Sequence, residues 1–115
     1  MAAAKYDITI EQGATFRLHL VWKDSEGVPV DLTGYSARMQ IRQFVQSDDV
    51  VLSLNTGNGG IVLGEDGDIQ VAADAEQTEM IVDLNGVYDL EMVSADDTVT
   101  RLVEGKVKIN PEVTR

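Results

Sequence analysis

Residues 15–23 read Thr-Phe-Arg-Leu-His-Leu-Val-Trp-Lys, and this stretch decides the fold class of the chain. Every second position from its second residue onward is apolar, at Phe16, Leu18, Leu20 and Trp22. The other face carries the polar side chains Arg17, His19 and Lys23, with Val21 as its one apolar residue. A period of two places successive side chains on opposite faces of a β-strand. The alternation is typical of a strand in an antiparallel sheet with one buried and one solvated face.

The same period recurs along most of the chain. Residues 35–43 predict a strand that buries Ala37, Met39 and Ile41, and residues 86–93 predict one that buries Tyr88, Leu90 and Met92. Further strands are predicted at residues 6–10, 50–54 and 98–110, whereas residues 28–30 predict only a short extended piece, because Pro29 cannot donate to a ladder. Residues 61–71 predict a hairpin, because two short apolar runs flank the acidic, glycine-containing turn at 64–68.

Two local features interrupt the alternation. Residues 73–80 predict one short helix, with Asp74 as its N-cap and Gln77 three residues later. Leu102 has the wrong parity to share a face with Val107 and Ile109. Since a bulge adds one residue and reverses the alternation, a bulge is expected near Glu104 and Gly105.

These elements predict an all-β chain with a single domain over residues 1–115. Seven or eight short strands, turns every 8–12 residues and one helical turn favour an immunoglobulin-like antiparallel β-sandwich. Tyr88 lies two residues before Leu90 and follows the helical turn, as in a tyrosine corner, where the hydroxyl bonds back to that crossing. The alternative is an ordinary buried tyrosine in a strand.

The charge of the chain is unevenly distributed. The net charge is −11, and residues 43–100 carry thirteen carboxylates and no Lys or Arg. Such a surface repels phosphate, so neither nucleic acid nor an anionic membrane is expected as a partner. No stretch resembles a signal peptide or a membrane span, which favours a soluble protein made in the cytoplasm. The acidic block favours either solubility alone or contact with basic patches on a neighbouring subunit.

The sequence predicts no catalytic, cofactor-binding or metal site, and therefore no enzyme. His19 is the sole histidine, and no nucleophile is evident for it. There is no cysteine, and residues 64–68 lack the spacing and terminal glutamate of an EF-hand. Phe44 and Val45 end the alternation of residues 35–43. They are either an exposed anchor for a partner or a plug for the end of the sandwich.

Three segments carry a resemblance to a known family. Residues 8–16 read Ile-Thr-Ile-Glu-Gln-Gly-Ala-Thr-Phe, and residues 31–35 read Asp-Leu-Thr-Gly-Tyr before the strand Ser-Ala-Arg-Met-Gln-Ile-Arg. With the later Gly-Val-Tyr-Asp-Leu at 86–90, the order spans residues 8–111. It resembles the small β-sandwich structural proteins of tailed bacteriophages, of the tail-collar and fibre-attachment type. It is similar also to the N-terminal module of baseplate upper proteins.

The resemblance implies a building block of the virion that is assembled in the host cytoplasm. Copies would form or decorate a ring at the tail, collar or baseplate, with tail tube, baseplate or fibre proteins as further partners. We expect the interface to use Phe44, Val45 and basic residues that face the acidic middle of the next copy. These basic residues are Lys5, Arg101, Lys106, Lys108 and Arg115. The alternative is a monomeric immunoglobulin-like module that binds protein or carbohydrate.

Overall fold

The computed structural model describes residues 3–82 and 85–114. Nine strands and one helix lie within these residues. In chain order they are β1 (Ala4–Lys5), β2 (Ile8–Glu11), β3 (Phe16–Val21), β4 (Ser36–Arg42), β5 (Leu52–Asn55), β6 (Ile61–Leu63), β7 (Asp68–Ala73), α1 (Ala75–Glu79), β8 (Asn85–Val93) and β9 (Val99–Asn110). Over the same residues, no helix has the length and apolar character needed to cross a lipid bilayer.

The strands form two sheets, which confirms the predicted all-β sandwich architecture. The larger sheet has six strands in the order β1-β9-β8-β4-β5, with β2 also paired to β9. The smaller sheet has the order β3-β7-β6. The expectation of purely antiparallel pairing is wrong at one edge, because β1 and β2 both run parallel to β9. The short extended piece predicted at residues 28–30 forms a single bridge, between Lys23 and Pro29.

The buried side chains follow the predicted alternation. Ala37, Met39 and Ile41 of β4 are buried, and so are Tyr88, Leu90 and Met92 of β8. Because β4 and β8 are neighbours in antiparallel register, with Met39 opposite Leu90, these two rows form the centre of the core. Phe16, Leu18 and Leu20 of β3 face the same core but are only half-buried, since β3 is an edge strand.

The predicted hairpin and helix are confirmed. β6 and β7 pair antiparallel with Leu63 opposite Ile69. Asp74 caps α1, since its carboxylate accepts from the Gln77 backbone N–H at 2.8 Å while the Gln77 side chain accepts from the Asp74 N–H at 2.9 Å. These reciprocal bonds satisfy two donors that a helix start otherwise leaves free.

The predicted bulge lies earlier than expected. β8 and β9 pair with Leu90 opposite Val103, whereas Glu91 lies opposite Arg101, so Leu102 is the extra residue. The alternation from Val103 through Val107 to Ile109 is unbroken. The position predicted near Glu104 and Gly105 is therefore wrong. The parity conflict of Leu102 with the later residues arises because Leu102 is itself the bulged residue.

Tyr88 does not form the predicted tyrosine corner. Its hydroxyl donates to the backbone carbonyl of Tyr6, between β1 and β2, instead of to the crossing that contains α1. The side chain of Tyr88 is buried, and the residue opposite Tyr88 on β9 is Gly105. A side chain on Gly105 would collide with the same Tyr6 carbonyl. Tyr88 and Gly105 together hold the N-terminal segment against β9. Asp83 and Leu84, which precede β8, lie outside the described residues.

Candidate functional site

Four of the predicted interface residues meet on the outer face of the six-stranded sheet. Lys5, Val45, Arg101 and Lys106 line one shallow groove of about 470 Å³, although they come from opposite ends of the chain. The parallel pairing of β1 with β9 brings Lys5 opposite Glu104, and the loop after β4 brings Val45 to the same place. Lys108 lines the adjoining groove of about 500 Å³. The predicted residue Arg115 lies outside the described part of the chain.

Ion pairs neutralise the half of this face that carries Lys5 and Arg101. Lys5 pairs with Glu104, and the Arg101 guanidinium lies 3.4 Å from the Asp89 carboxylate and 3.7 Å from that of Glu104. The hydrogen bond from Lys5 lowers the pKa of Glu104. Burial raises the pKa of Asp89, and the nearby Glu91 carboxylate raises it further. The charges of Lys5 and Arg101 are thus neutralised by carboxylates of their own chain.

The other half of this face carries three cations beside the exposed carboxylate of Asp7 and several apolar side chains. Within residues 3–82 and 85–114, none of Arg42, Lys106 and Lys108 forms an ion pair with a carboxylate. Lys106 and Arg42 lie in one cross-strand row, on either side of Val87. Phe44 and Val45 follow β4 with 53% and 75% of their surface exposed, so neither plugs the sandwich. We name this surface the basic patch; its residues are Arg42, Phe44, Val45, Lys106 and Lys108.

Three loops form an acidic surface at the other end of the strands. They are residues 22–35, 64–67 and 94–98. The first and third of these loops lie against each other, since a Cβ added to Gly34 would be 3.2 Å from the Cβ of Ala95. Lys23 is the only basic residue of these loops. We name this surface the acidic end; its carboxylates are Asp24, Glu26, Asp31, Glu65, Asp66, Asp96 and Asp97.

Several carboxylates of the acidic end have a structural role in their turns. Asp24 accepts from the Glu26 and Val28 backbone N–H groups at 2.9 and 3.0 Å. Asp31 accepts hydrogen bonds from Thr33, and these bonds lower the pKa of Asp31. Asp96 accepts from Thr98, and its pKa is lowered first by the hydrogen bond from Ser94 and then by that from Thr98. The turns therefore hold ionised carboxylates at fixed positions, which keeps the acidic end negative at neutral pH.

His19 lies on the outer face of the smaller sheet, as its parity predicts. It pairs with Asp68, a partner that the sequence analysis missed, and this hydrogen bond lowers the pKa of Asp68. The pairing becomes recognisable only when the register of β3 with β7 is known, since Asp68 is diagonal to His19. In the described part of the chain, no three His, Cys, Asp or Glu side chains are grouped so that they could hold a metal ion.

A pH titration tests the environment of Tyr88. Burial raises the pKa of its phenol from 10.0 to about 12. Because the folded state favours the neutral phenol, this stabilisation is complete below pH 10 and is lost as the pH rises through about 12. We expect the free energy of unfolding to fall more steeply with pH in this window for the natural protein than for Tyr88→Phe. If the free energies of unfolding, measured with urea at each pH, fell equally steeply with pH in both proteins, this assignment would be contradicted.

No protein-family model matches the chain, and no curated protein is similar to it in sequence.

Proposed function

We propose that the protein is a structural, non-enzymatic component of the virion of a tailed bacteriophage. It forms or decorates a ring at the tail, collar or baseplate and links this ring to fibres or other appendages. The observation that carries the proposal is the separation of the acidic end from the basic patch. β4 begins beside the acidic end at Ser36 and ends in the basic patch at Arg42, so the two surfaces lie near opposite ends of the same strands.

This separation of charge favours head-to-tail assembly. The acidic end of one copy complements the basic patch of the next, and opposite potentials at an interface favour association and fix orientation. Since the two contacting surfaces differ, repeated contacts generate either a closed ring or an open filament. Phe44 and Val45 would supply exposed apolar area within the same contact. Their side chains would act as its anchors.

The strand order supports the finer proposal that the sandwich is immunoglobulin-like. In domains of that type, two sheets divide the strands so that the second strand pairs with the fifth and the third with the sixth. Taking β1 and β2 as the first strand, β3 corresponds to the second, β4 to the third, β6 to the fourth, β7 to the fifth and β8 to the sixth, with β5 as an added strand beside β4. The pairs β3 with β7 and β4 with β8 then match this order.

Charge reversal in the basic patch tests the head-to-tail contact. We expect the natural protein to sediment as a large assembly at low ionic strength and to dissociate as salt screens the contact. Lys106→Glu combined with Lys108→Glu is expected to give monomers or small species at low salt. Lys23→Glu reverses a single charge in the same sense at the acidic end, so this control is expected to assemble at least as well as the natural protein.

Purified particles test the virion assignment directly. We expect peptides of this chain in mass spectra of phage particles purified from cells that carry its gene, at many copies per particle. A chain that is missing from purified particles and monomeric at every salt concentration would overturn the proposal. That result would favour the alternative of a monomeric immunoglobulin-like module that binds protein or carbohydrate.

A further inference from the structure

Strand β3 has one open edge. It pairs with β7 on one side, and the Trp22 backbone N–H, just beyond its end, donates to the Gly67 carbonyl at 2.9 Å. Hydrogen-bonded and non-bonded pairs alternate along an antiparallel ladder, so the even-numbered residues of β3 direct their backbone groups to β7. Arg17, His19 and Val21 therefore direct their N–H and C=O groups away from β7. Over the described residues, no backbone group of the chain pairs with them there.

The inward row of β3 is incompletely covered. Leu18 and Leu20 face the core but remain half-buried, whereas Ile69 and Val71 opposite them on β7 are fully buried. A groove of about 530 Å³ continues this opening between the end of β3 and β9, with Trp22 among its lining residues. One more strand along β3 would satisfy the free backbone groups and cover this apolar row.

We propose that this strand is β3 of a second copy, paired antiparallel about a two-fold axis at His19. His19 then lies opposite the partner's His19, and Arg17 lies opposite the partner's Val21. All three outward-directed residues exchange backbone hydrogen bonds in this register. On the inner face, Leu18 lies opposite the partner's Leu20, so the two half-buried rows cover each other. The two copies of the smaller sheet become one continuous sheet.

Charge complementarity favours this occupant and this register. Arg17 has no ion pair among the described residues, although it lies on the outer face of β3. In the proposed pairing it lies beside the partner's Val21, and the partner's Asp68 is the next residue in that row. Two strand spacings, about 10 Å, separate the Cα atoms of Arg17 and the partner's Asp68, a gap that an arginine side chain spans.

The neighbouring registers lack this complementarity. A shift in one direction places Arg17 opposite the partner's Lys23, and like charges directly opposite each other destabilise a strand pair. A shift in the other direction places Arg17 opposite the partner's His19 and moves Val21 beside the partner's Thr15. Of these registers, the one centred on His19 is therefore the one that places Arg17 beside the partner's Val21 and within reach of the partner's Asp68.

This inference rests on the proposed function only in that both concern self-assembly, since it uses a different surface and a different symmetry. The head-to-tail contact joins unlike surfaces, whereas the β3 contact joins the same surface of two copies. Each contact is open to separate disruption by substitutions that leave the other surface unchanged.

A single engineered cysteine tests the two-fold axis, since the chain has no other cysteine. Directly opposed residues in a hydrogen-bonded antiparallel pair have Cα atoms about 5.5 Å apart, which is within the range of a disulfide. With oxidised glutathione as the oxidant, we expect His19→Cys to give a covalent dimer. Gln70→Cys is the matched control, because Gln70 is exposed beside His19 on β7 and would lie about 14 Å from the partner's Gln70.

Val21→Lys provides a second measurement without a cysteine. The new lysine faces Asp68 of its own copy, so the free energy of unfolding should not fall, but it also faces the partner's Arg17. We expect at least a tenfold weaker dimer by sedimentation, while the salt-dependent contact of the basic patch remains. His19→Cys that cross-links no faster than Gln70→Cys, or an unchanged dimer in Val21→Lys, would overturn the inference. If only the variant with Lys106→Glu and Lys108→Glu lost assembly, the proposed function would be supported and the β3 contact would be contradicted.

Discussion

Gly67→Ala is expected to lower the free energy of unfolding by about 3 kcal/mol or more, a large part of the stability of a small domain. Two effects add. Gly67 has φ of +76°, in the left-handed region, where a side chain costs about 1–2 kcal/mol. An added Cβ would also lie within 3.0 Å of the Trp22 carbonyl oxygen. Since Trp22 bonds to Gly67 through its N–H, the collision would separate β3 from the turn before β7.

Gly27→Ala is the matched control for this prediction. Gly27 has nearly the same φ, +81°, but nothing lies within 4 Å of an added Cβ. The control should therefore show only the cost of the backbone conformation, about 1–2 kcal/mol. Urea unfolding of the two variants measures the difference, which reports the close approach of Trp22. Equal losses in both variants would show that Trp22 and Gly67 are not packed as described.

Leu90→Ala is expected to cost about 3–4 kcal/mol. Leu90 is 1% exposed, and it lies on β8 between Met39 of β4 and Val103 of β9. Removing its side chain leaves a cavity that three strands paired in fixed register cannot close. The loss combines the transfer free energy of the deleted methylene and methyl groups with the cost of the residual cavity.

Leu102→Ala makes the same change at the bulge. Leu102 is only half-buried, and a bulged residue has no directly opposed partner on β8. The side chain therefore contributes less buried area, and we expect a loss of about 1 kcal/mol. If Leu102→Ala proved as destabilising as Leu90→Ala in the same denaturation assay, the bulge would have to lie elsewhere, near the position that the sequence predicted.

The alternation of side chains was sufficient to predict the core. Met39, Ile41, Leu90 and Met92 are buried because period two is a property of each strand by itself and needs no knowledge of its neighbours. The capping of α1 was predictable for the same reason, since Asp74 and Gln77 are three residues apart. Local signals of this kind are fully contained in the sequence.

Features that depend on distant pairing were predicted poorly. The parallel pairing of β2 with β9 joins Ile8 to Val107, and nothing local in either strand indicates which strand lies beside it. Tyr88 illustrates the same limit, because its burial was predicted and its acceptor, Tyr6, was not. The candidate site was predicted in part: the residues were named individually, but the ion pairs that neutralise Lys5 and Arg101 depend on the sheet order.

The last strand also determines when the protein can complete its fold during synthesis. β9 pairs with β1, β2 and β8, so the six-stranded sheet has no place for the first two strands until the ribosome has made β9. Until then, Ile8 and Ile10 lack the strand that lies beside them in the finished fold. Folding is therefore expected to finish after translation of β9 and to be slow, since contacts between residues far apart in sequence close late.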